Sequence, residues 1–308
     1  MADTPHIAVI GAGLMGHGIA LTLARAGHRV ALHDPVPAAL DSAPARIGAS
    51  LAALGAAEEE IAATLGRIAP AAVLAEAVRG AAVVFEAAPE KLELKRQIFS
   101  ALEAHAPADA LLASNTSVIQ IGKITGHLQR RERALGTHWW NPPHMIPLVE
   151  VVKTEWTAPE AAGRMFDLLA GAGKTPVMVE KDVPGFIGNR LQHALWREAI
   201  SLVERGICSA EAVDTVIKAS FGRRLAVLGP LENADLVGTD LTLDIHENVL
   251  FDLESRPGPS PYLKRLVAEG KLGMKTGEGF HSWTPDRADA LRAKVARHLR
   301  LLEDILKD

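Results

Sequence analysis

The sequence predicts an α/β protein in which a doubly wound sheet is followed by an all-α C-terminal domain. Short apolar runs alternate with helical stretches as far as about residue 183, a pattern typical of parallel strands joined by crossover helices. Beyond that point strong strand signals disappear and helical spacing continues to the end of the chain. We therefore expect one domain over 1–183 and a second, helical domain over 184–308.

The elements follow from local patterns. Apolar runs bounded by turn residues predict strands at 6–10, 29–33, 82–86, 110–113, 134–138, 148–152 and 176–180. Helical spacing predicts helices between them, among them 14–26, 36–54 and 58–67. In the second domain it predicts helices at 186–205, 209–220, 231–252, 260–269 and 285–306. Because helices separate most of the strands, we expect the sheet to be parallel.

Composition excludes several functional classes. The chain has 308 residues, a net charge of −4 and no long basic run, so nothing favours a nucleic-acid or anionic-membrane partner. One cysteine, Cys208, allows neither an internal disulfide nor a cysteine metal cluster, and we expect no metal. No apolar run approaches the length needed to cross a bilayer, and no signal peptide precedes the first strand. These features predict a cytoplasmic protein.

A glycine motif follows the first predicted strand. It matches G-x-G-x-x-G and consists of Gly11, Gly13, Leu14, Met15 and Gly16 around Ala12. Glycines allow a tight turn and close approach of a pyrophosphate to the N-terminus of the next helix. Asp34 ends the second strand, where its carboxylate would bind ribose hydroxyls and repel a 2′-phosphate. This Rossmann-type pattern predicts NAD as the cofactor, and His17 is expected to be only a packed neighbour.

A histidine and a glutamate are candidates for a general base. His138 follows one predicted strand, residues 139–147 form a proline-rich excursion, and Glu150 lies on the returning strand. If the two strands are neighbours, the carboxylate can orient the imidazole and stabilise its protonated form.

Motifs spread over nearly the whole chain resemble the L-3-hydroxyacyl-CoA dehydrogenase family in the broad sense. Besides the glycine motif they are FEAAPEKLELK (85–95), SNTS (114–117), GTHWWNPP (136–143), LVEVV (148–152), PGFIGNR (184–190), LGPLENADLVGTD (228–240) and GKLGMKTGEGF (270–280). The resemblance implies an NAD-dependent dehydrogenase that binds its substrate between a Rossmann domain and a helical domain, which forms the homodimer.

The resemblance also implies roles for individual residues. It makes His138 the catalytic base, Glu150 its partner, and Ser117 and Asn189 the groups that hold the reacting oxygen of the substrate. The residues that it places around the cofactor, besides the glycine motif and Asp34, are Glu90, Lys95, Asn141 and Lys275.

Two departures favour the branch of the family that acts on small unesterified acids. The thioester enzymes use a serine and a lysine to contact CoA, whereas here Ser50 is followed by 51–57 without any Lys or Arg. Pro147 stands where those enzymes commonly have Lys, and NPPHMIPLVE resembles gulonate 3-dehydrogenase, carnitine dehydrogenase and a pyridine-carboxylate dehydrogenase. That branch has an arginine at the position of Arg224, which could bind a substrate carboxylate bidentately.

The sequence thus predicts oxidation of the secondary alcohol of a small hydroxy carboxylate. One alternative is the same chemistry on a 3-hydroxyacyl-CoA thioester. The other is a non-catalytic NAD-binding structural or sensor protein. Trp139 and Trp140 replace the phenylalanine pair common in thioester enzymes, with a consequence for the pocket that the sequence does not reveal.

Overall fold

The computed structural model describes residues 6–306. It contains two compact units, the first extending to Arg190 and the second beginning at Leu191. The division lies within the first turn of a long helix, shortly after the expected boundary at residue 183.

The first unit is built on one eight-stranded sheet with the order β3-β2-β1-β4-β5-β6-β7-β8. Its strands are β1 His6–Ile10, β2 Arg29–His33, β3 Ile68–Ala71, β4 Val83–Glu86, β5 Leu111–Ser114, β6 Ala134–Trp139, β7 Leu148–Val152 and β8 Thr175–Val179. The central strands are almost continuously apolar and buried, as expected where helices cover both faces of a sheet.

Among the described residues, seven α-helices lie wholly within this unit. They are α1 Leu14–Arg25, α2 Pro37–Ala53, α3 Glu58–Leu65, α4 Leu74–Ala77, α5 Leu92–His105, α6 Ile121–Thr125 and α7 Pro159–Gly171. Gly27 ends α1 with a φ of +97°, the left-handed conformation that glycine adopts without strain. The sheet and its helices bury two large apolar clusters, one on each face, around Phe85 and Phe99. These clusters fix the carboxyl ends of the strands, where the motif residues lie.

The structure corrects two expectations about the sheet. It is not wholly parallel, because β6 and β7 pair antiparallel through the short link 140–147, which has no room for a crossover helix. The expected strand list also omitted β3, which pairs with β2 at the edge of the sheet. Its four residues include Pro70, and proline within a short run hides an edge strand from pattern analysis.

Helices make up the second unit and the segment leading into it. They are α8 Gly188–Glu204, α9 Ala210–Ala219, α10 Pro230–Val237, α11 Thr239–Val249, α12 Pro261–Ala268 and α13 Pro285–Ile305. The single helix expected over 231–252 is wrong, because Gly238 has a φ of +100° and separates α10 from α11. No helix in the described part of the chain is long and apolar enough to cross a membrane.

Candidate active site

The glycine motif forms a tight turn between β1 and α1. Gly11 has a φ of +106°, and a Cβ there would lie 2.7 Å from the carbonyl oxygen of Ala87. A Cβ on Gly16 would lie 1.7 Å from the carbonyl oxygen of Gly11, so the first turn of α1 packs directly on the loop. Only glycine therefore fits either position.

The same loop is open where a cofactor would approach. A Cβ on Gly13 would meet nothing within 4 Å, and no side chain in residues 6–306 caps the α1 N-terminus. Asp34 accepts the N–H groups of Ala12 at 2.8 Å and Val36 at 2.9 Å, which fixes its carboxylate beside the loop. Free helix N–H groups, open space and an adjacent carboxylate fit the pyrophosphate and ribose of a dinucleotide.

The strand reversal brings the two candidate base residues together. His138 on β6 pairs in register with Glu150 on β7, and their side chains share a face of the sheet. The distance from His138 Nδ1 to Glu150 Oε2 is 2.7 Å, and both side chains are at least 95% buried. The predicted pair therefore exists as a short buried hydrogen bond.

Glu150 is also bound by the backbone at the start of α8. Its Oε1 accepts the N–H groups of Ile187 at 2.8 Å and Gly188 at 3.0 Å. Burial favours a raised pKa, but the hydrogen bonds from His138, Gly188 and Ile187 outweigh it and lower the pKa of Glu150. An ionised Glu150 only accepts hydrogen bonds, so His138 donates to it through Nδ1, and Nε2 is the ring nitrogen left to exchange a proton with a substrate.

Aromatic rings hold the imidazole of His138. Trp140 lies with its ring centroid 5.2 Å away, and Phe186 lies at 5.6 Å. The indole occupies the space above Gly188, where a Cβ would come 2.4 Å from Trp140 Cζ2. Trp139 instead enters the core, 2% exposed, against Phe85. Of the tryptophan pair, Trp140 is thus the one that contacts His138.

Ser117 and Asn189 meet through the main chain. The Asn189 side-chain amide donates to the carbonyl oxygen of Ser117 at 2.9 Å, while the Ser117 side chain is exposed. Glu90 holds the other side of this loop by accepting the N–H groups of Ser117 at 2.9 Å and Val118 at 3.2 Å. Burial would raise the pKa of Glu90, but bonds from the loop and the charge of Lys95 lower it.

A buried ion pair that the sequence pattern did not reveal lies beside this loop. Lys95 donates to Glu86 at 2.7 Å, and both side chains are fully buried. Glu86 also accepts the hydroxyl of Ser114 at 2.6 Å and the N–H of Ala88 at 2.7 Å. Lys95 therefore holds the ends of β4 and β5, and its direct contact with a cofactor remains a prediction. The signal in the sequence that could have predicted a role for Glu86 is its position as a charged residue at the end of an apolar strand.

The link 140–147 packs against α1. A Cβ on Gly18 would lie 2.6 Å from Pro143 Cγ, and Lys174 donates to the carbonyl oxygen of Ile146 at 2.9 Å. Burial, followed by the charges of His17 and Lys174, lowers the pKa of His144 to about 4. Asn141 is exposed at the start of the link. The glycine loop and the link 140–147 therefore both pack against α1.

Two further predicted site residues, Arg224 and Lys275, lie in the second unit, whereas Ser50 only stands at the serine position of the thioester enzymes. Ser50 is half-buried on α2 of the first unit. In the second unit Arg224 follows the short turn Phe221–Arg223 and is exposed, as is Lys275. No side-chain hydrogen bond or ion pair of Arg224 or Lys275 occurs among the described residues, and their binding roles remain predictions.

Family models match both parts of the chain. The NAD binding domain of 3-hydroxyacyl-CoA dehydrogenase matches residues 6–183, and the C-terminal domain of the same enzyme matches residues 185–283. The two matched ranges meet near the expected domain boundary.

Individual relatives are similar over nearly their full lengths. The 5-formyl-3-hydroxy-2-methylpyridine 4-carboxylate 5-dehydrogenase of Mesorhizobium japonicum is 38% identical, with 98% of each chain covered. The mitochondrial hydroxyacyl-coenzyme A dehydrogenase of Homo sapiens is 40% identical, with 90% of this chain and 91% of the relative covered. A crystal structure of the pyridine-carboxylate enzyme, described as an NAD+-dependent dismutase, superimposes with a TM-score of 0.91 and 37% identity over 99% of both chains.

Proposed function

The chain belongs to the 3-hydroxyacyl-CoA dehydrogenase family of NAD-dependent oxidoreductases, and on this premise we propose that it oxidises a hydroxyl group of a small free carboxylic acid. The expected substrate is a hydroxy carboxylate with a secondary alcohol. Both of these relatives are named as dehydrogenases, so the alternative of a non-catalytic sensor or structural protein has no support among them.

In the proposed reaction His138 is the general base. When bound, NAD supplies the hydride acceptor of the reaction. Nε2 of His138 takes the hydroxyl proton, while Glu150 fixes the ring and compensates the positive charge that forms on it. Trp140 and Phe186 restrict the ring, and Asn189 holds the Ser117 loop that we place beside the reacting oxygen. In the reverse direction the same Nε2 returns the proton.

The arrangement of α2 is the observation that carries the choice of a free acid over a thioester. Arg46 is the one cation between 37 and 57, and its guanidinium is bound to the carbonyl oxygens of Ala12 and Ala39. Three consecutive glutamates open the next helix, α3. Apart from Arg46, whose guanidinium is held at the glycine loop, a CoA 3′-phosphate at this surface would find carboxylates and no cation between residues 37 and 57, which disfavours its binding.

The relatives support both readings in part. The Mesorhizobium japonicum enzyme is named for a pyridine carboxylate, and the human enzyme is named for hydroxyacyl-coenzyme A. The chain is about equally identical to both enzymes, so sequence identity does not distinguish the two substrates. The scarcity of cations on α2 favours the free acid. A 3-hydroxyacyl-CoA thioester is the second candidate, supported by the identity to the human enzyme.

Arg224 is the proposed anchor for the substrate carboxylate, because its exposed guanidinium has no acceptor among the described residues. Losing a charge-assisted, bidentate contact costs roughly 1.5–3 kcal/mol, or about ten- to a hundredfold in kcat/KM. We expect Arg224→Met to raise KM for the acid substrate and leave the Kd for NADH unchanged. Arg223→Met is the matched control, and we expect it to have little effect.

The assay is NADH formation from NAD with four acids and one thioester. The acids are 5-formyl-3-hydroxy-2-methylpyridine 4-carboxylate, gulonate, carnitine and 3-hydroxybutyrate, and the thioester is 3-hydroxybutyryl-CoA. The highest kcat/KM for gulonate, carnitine or 3-hydroxybutyrate and a specific loss in Arg224→Met support the proposal, whereas a preference for the formyl acid would indicate oxidation of an aldehyde and contradict the assignment of a secondary alcohol. If 3-hydroxybutyryl-CoA has a far higher kcat/KM than every acid, and Arg224→Met does not change that value, the protein acts on a CoA thioester and our proposal is wrong.

We further propose a homodimer formed by the second unit. That unit carries large apolar side chains with high exposure, including Phe251 at 82%, Leu231 at 80% and Leu236 at 72%. Apolar surface of this extent marks an interface in proteins of this size. We expect sedimentation at micromolar concentration to give a dimer and Phe251→Asp to weaken it, whereas a wild-type monomer would contradict the proposal. A cytoplasmic location, compatible with the single cysteine Cys208, also remains a proposal.

A further inference from the structure

The side chain of Arg46 extends from α2 to the glycine loop between β1 and α1. Its Nη2 donates to the carbonyl oxygens of Ala12 at 2.6 Å and Ala39 at 2.8 Å. Its Nη1 donates to the carbonyl oxygen of Gly13 at 3.3 Å. One planar guanidinium thus joins two consecutive carbonyls of the loop to the first turn of α2.

His17 assists at the second of these carbonyls. Its Nδ1 lies 2.8 Å from the oxygen of Gly13, and its side chain is almost fully buried. Burial is the largest influence on the pKa of His17 and, with the charge of Arg46, lowers it despite the bond to Gly13. A neutral ring donates through Nδ1 to the carbonyl, so His17 does more than the packing expected from the sequence.

Holding these carbonyls sets the direction of the opposite N–H groups. In a trans peptide the C=O and the following N–H point in opposite directions. The Ala12 carbonyl turned toward Arg46 therefore turns the Gly13 N–H away from it, and the Gly13 carbonyl does the same for Leu14. Asp34 fixes the remaining side of Ala12 by accepting its N–H at 2.8 Å.

The charge of Arg46 is not compensated by a carboxylate. Among residues 6–306 no ion pair includes this side chain, and its three backbone acceptors are neutral. By contrast, Arg25 on α1 pairs with Glu60 on α3 at 2.7 Å. Besides these carbonyls, Arg46 Nη1 lies 3.4 Å from Nδ1 of the His17 ring. A half-buried cation without a carboxylate partner remains able to attract an anion brought to the loop.

We propose that Arg46 is a positioning residue for the dinucleotide, holding the glycine loop so that its N–H groups face the pyrophosphate and adding positive charge behind them. The proposal rests on the assignment of Gly11–Gly16 as the pyrophosphate site. It assigns a role in cofactor binding to α2, the helix that would contact CoA if the substrate were a thioester.

Direct ligand binding tests this role apart from turnover. We expect Arg46→Met to raise the Kd of NADH, followed by nicotinamide fluorescence, and of ADP-ribose, followed by calorimetry, by roughly tenfold or more. Adenosine lacks the pyrophosphate, so its Kd, measured by displacement of NADH, should change less than threefold. Arg46→Lys keeps the positive charge but lacks the planar guanidinium that binds several carbonyls, so it should still raise the Kd of ADP-ribose at least threefold.

Arg25→Met is the matched control, since it removes an arginine from a surface ion pair between α1 and α3, and it should leave both Kd values unchanged. A lower melting temperature with unchanged Kd values for Arg46→Met and Arg46→Lys would make the residue merely structural and overturn the inference. If Arg46→Met raised the Kd of adenosine as much as that of ADP-ribose, the effect would not involve the pyrophosphate, and the inference would also be wrong.

Asp34→Ala separates failure of the inference from failure of the site assignment. If Asp34→Ala weakens NADH and the Arg46 variants do not, the inference about Arg46 is wrong and the site stands. If neither change alters the Kd of NADH, the cofactor does not bind at this loop and the assignment itself is wrong.

Discussion

Replacing Glu150 by glutamine should disable the proposed base while changing few atoms. The carboxylate accepts three hydrogen bonds, from His138 Nδ1 at 2.7 Å and from the backbone N–H groups of Ile187 and Gly188 at 2.8 and 3.0 Å. A glutamine amide accepts through one atom and donates through the other. It therefore cannot satisfy all three donors at this buried position.

Counting the bonds decides which way the amide turns. With its oxygen toward Ile187 and Gly188 the amide keeps two bonds and presents its NH2 group to His138. The opposite orientation leaves two N–H groups without an acceptor, at about 1–3 kcal/mol each. The first orientation therefore prevails, and it forces Nδ1 to accept and Nε2 to carry the proton. In that tautomer His138 cannot take a proton from the substrate.

The expected loss follows from the value of a positioned base. General-base catalysis contributes about 10²–10⁴ in rate, which corresponds to roughly 2.7–5.4 kcal/mol at 1.36 kcal/mol per decade. We expect Glu150→Gln to lower kcat/KM by that factor for the best substrate of the panel. The Kd of NADH should stay within threefold, because the change neither adds nor removes a charge at the glycine loop.

The matched control is Glu180→Gln, which makes the same chemical change in an exposed glutamate paired with Lys153. We expect it to retain activity within twofold. Progress curves at 340 nm give kcat/KM, and nicotinamide fluorescence gives the Kd. If Glu150→Gln keeps kcat/KM within threefold of the wild type, Glu150 does not set the state of His138 and the proposed mechanism is refuted.

Two other predictions concern the loop and the link that adjoin the site. Gly16→Ala should abolish measurable NADH binding or unfold the loop, because its Cβ would lie 1.7 Å from a backbone oxygen, whereas Gly163→Ala, with nothing within 4 Å, should bind normally. Normal binding by Gly16→Ala would contradict the described turn. Since burial lowers the pKa of His144 to about 4, unfolding takes up a proton between pH 6.5 and 4, and acid destabilises the fold there. Allowing for partial exposure, His144→Gln should reduce that loss, measured by urea unfolding, by about 1–2 kcal/mol, and an unchanged pH dependence would refute this.

The sequence by itself determined the features that depend on local patterns. Buried strands, helix ends at Gly27 and the motif Gly11–Gly16 are specified by residues close together in the chain, and the structure has them where they were expected. The His138–Glu150 contact could also be predicted, since one short link joins their strands. The glycine motif with Asp34 also predicted NAD, and the family motifs added the expected roles of individual site residues.

Tertiary structure decided everything that joins distant segments. The pairing of the edge strand β3 with β2 and the place of β8 beside β7 depend on which strands become neighbours, which no local pattern specifies. Arg46 finds Ala12, and Glu150 binds Gly188, only after packing brings those backbones together. Buried polar groups must find partners, and compact folding makes available whichever donors and acceptors lie nearby. For that reason the sequence could nominate His138 as the base, while the groups that hold it and the glycine loop in place emerged from the three-dimensional arrangement.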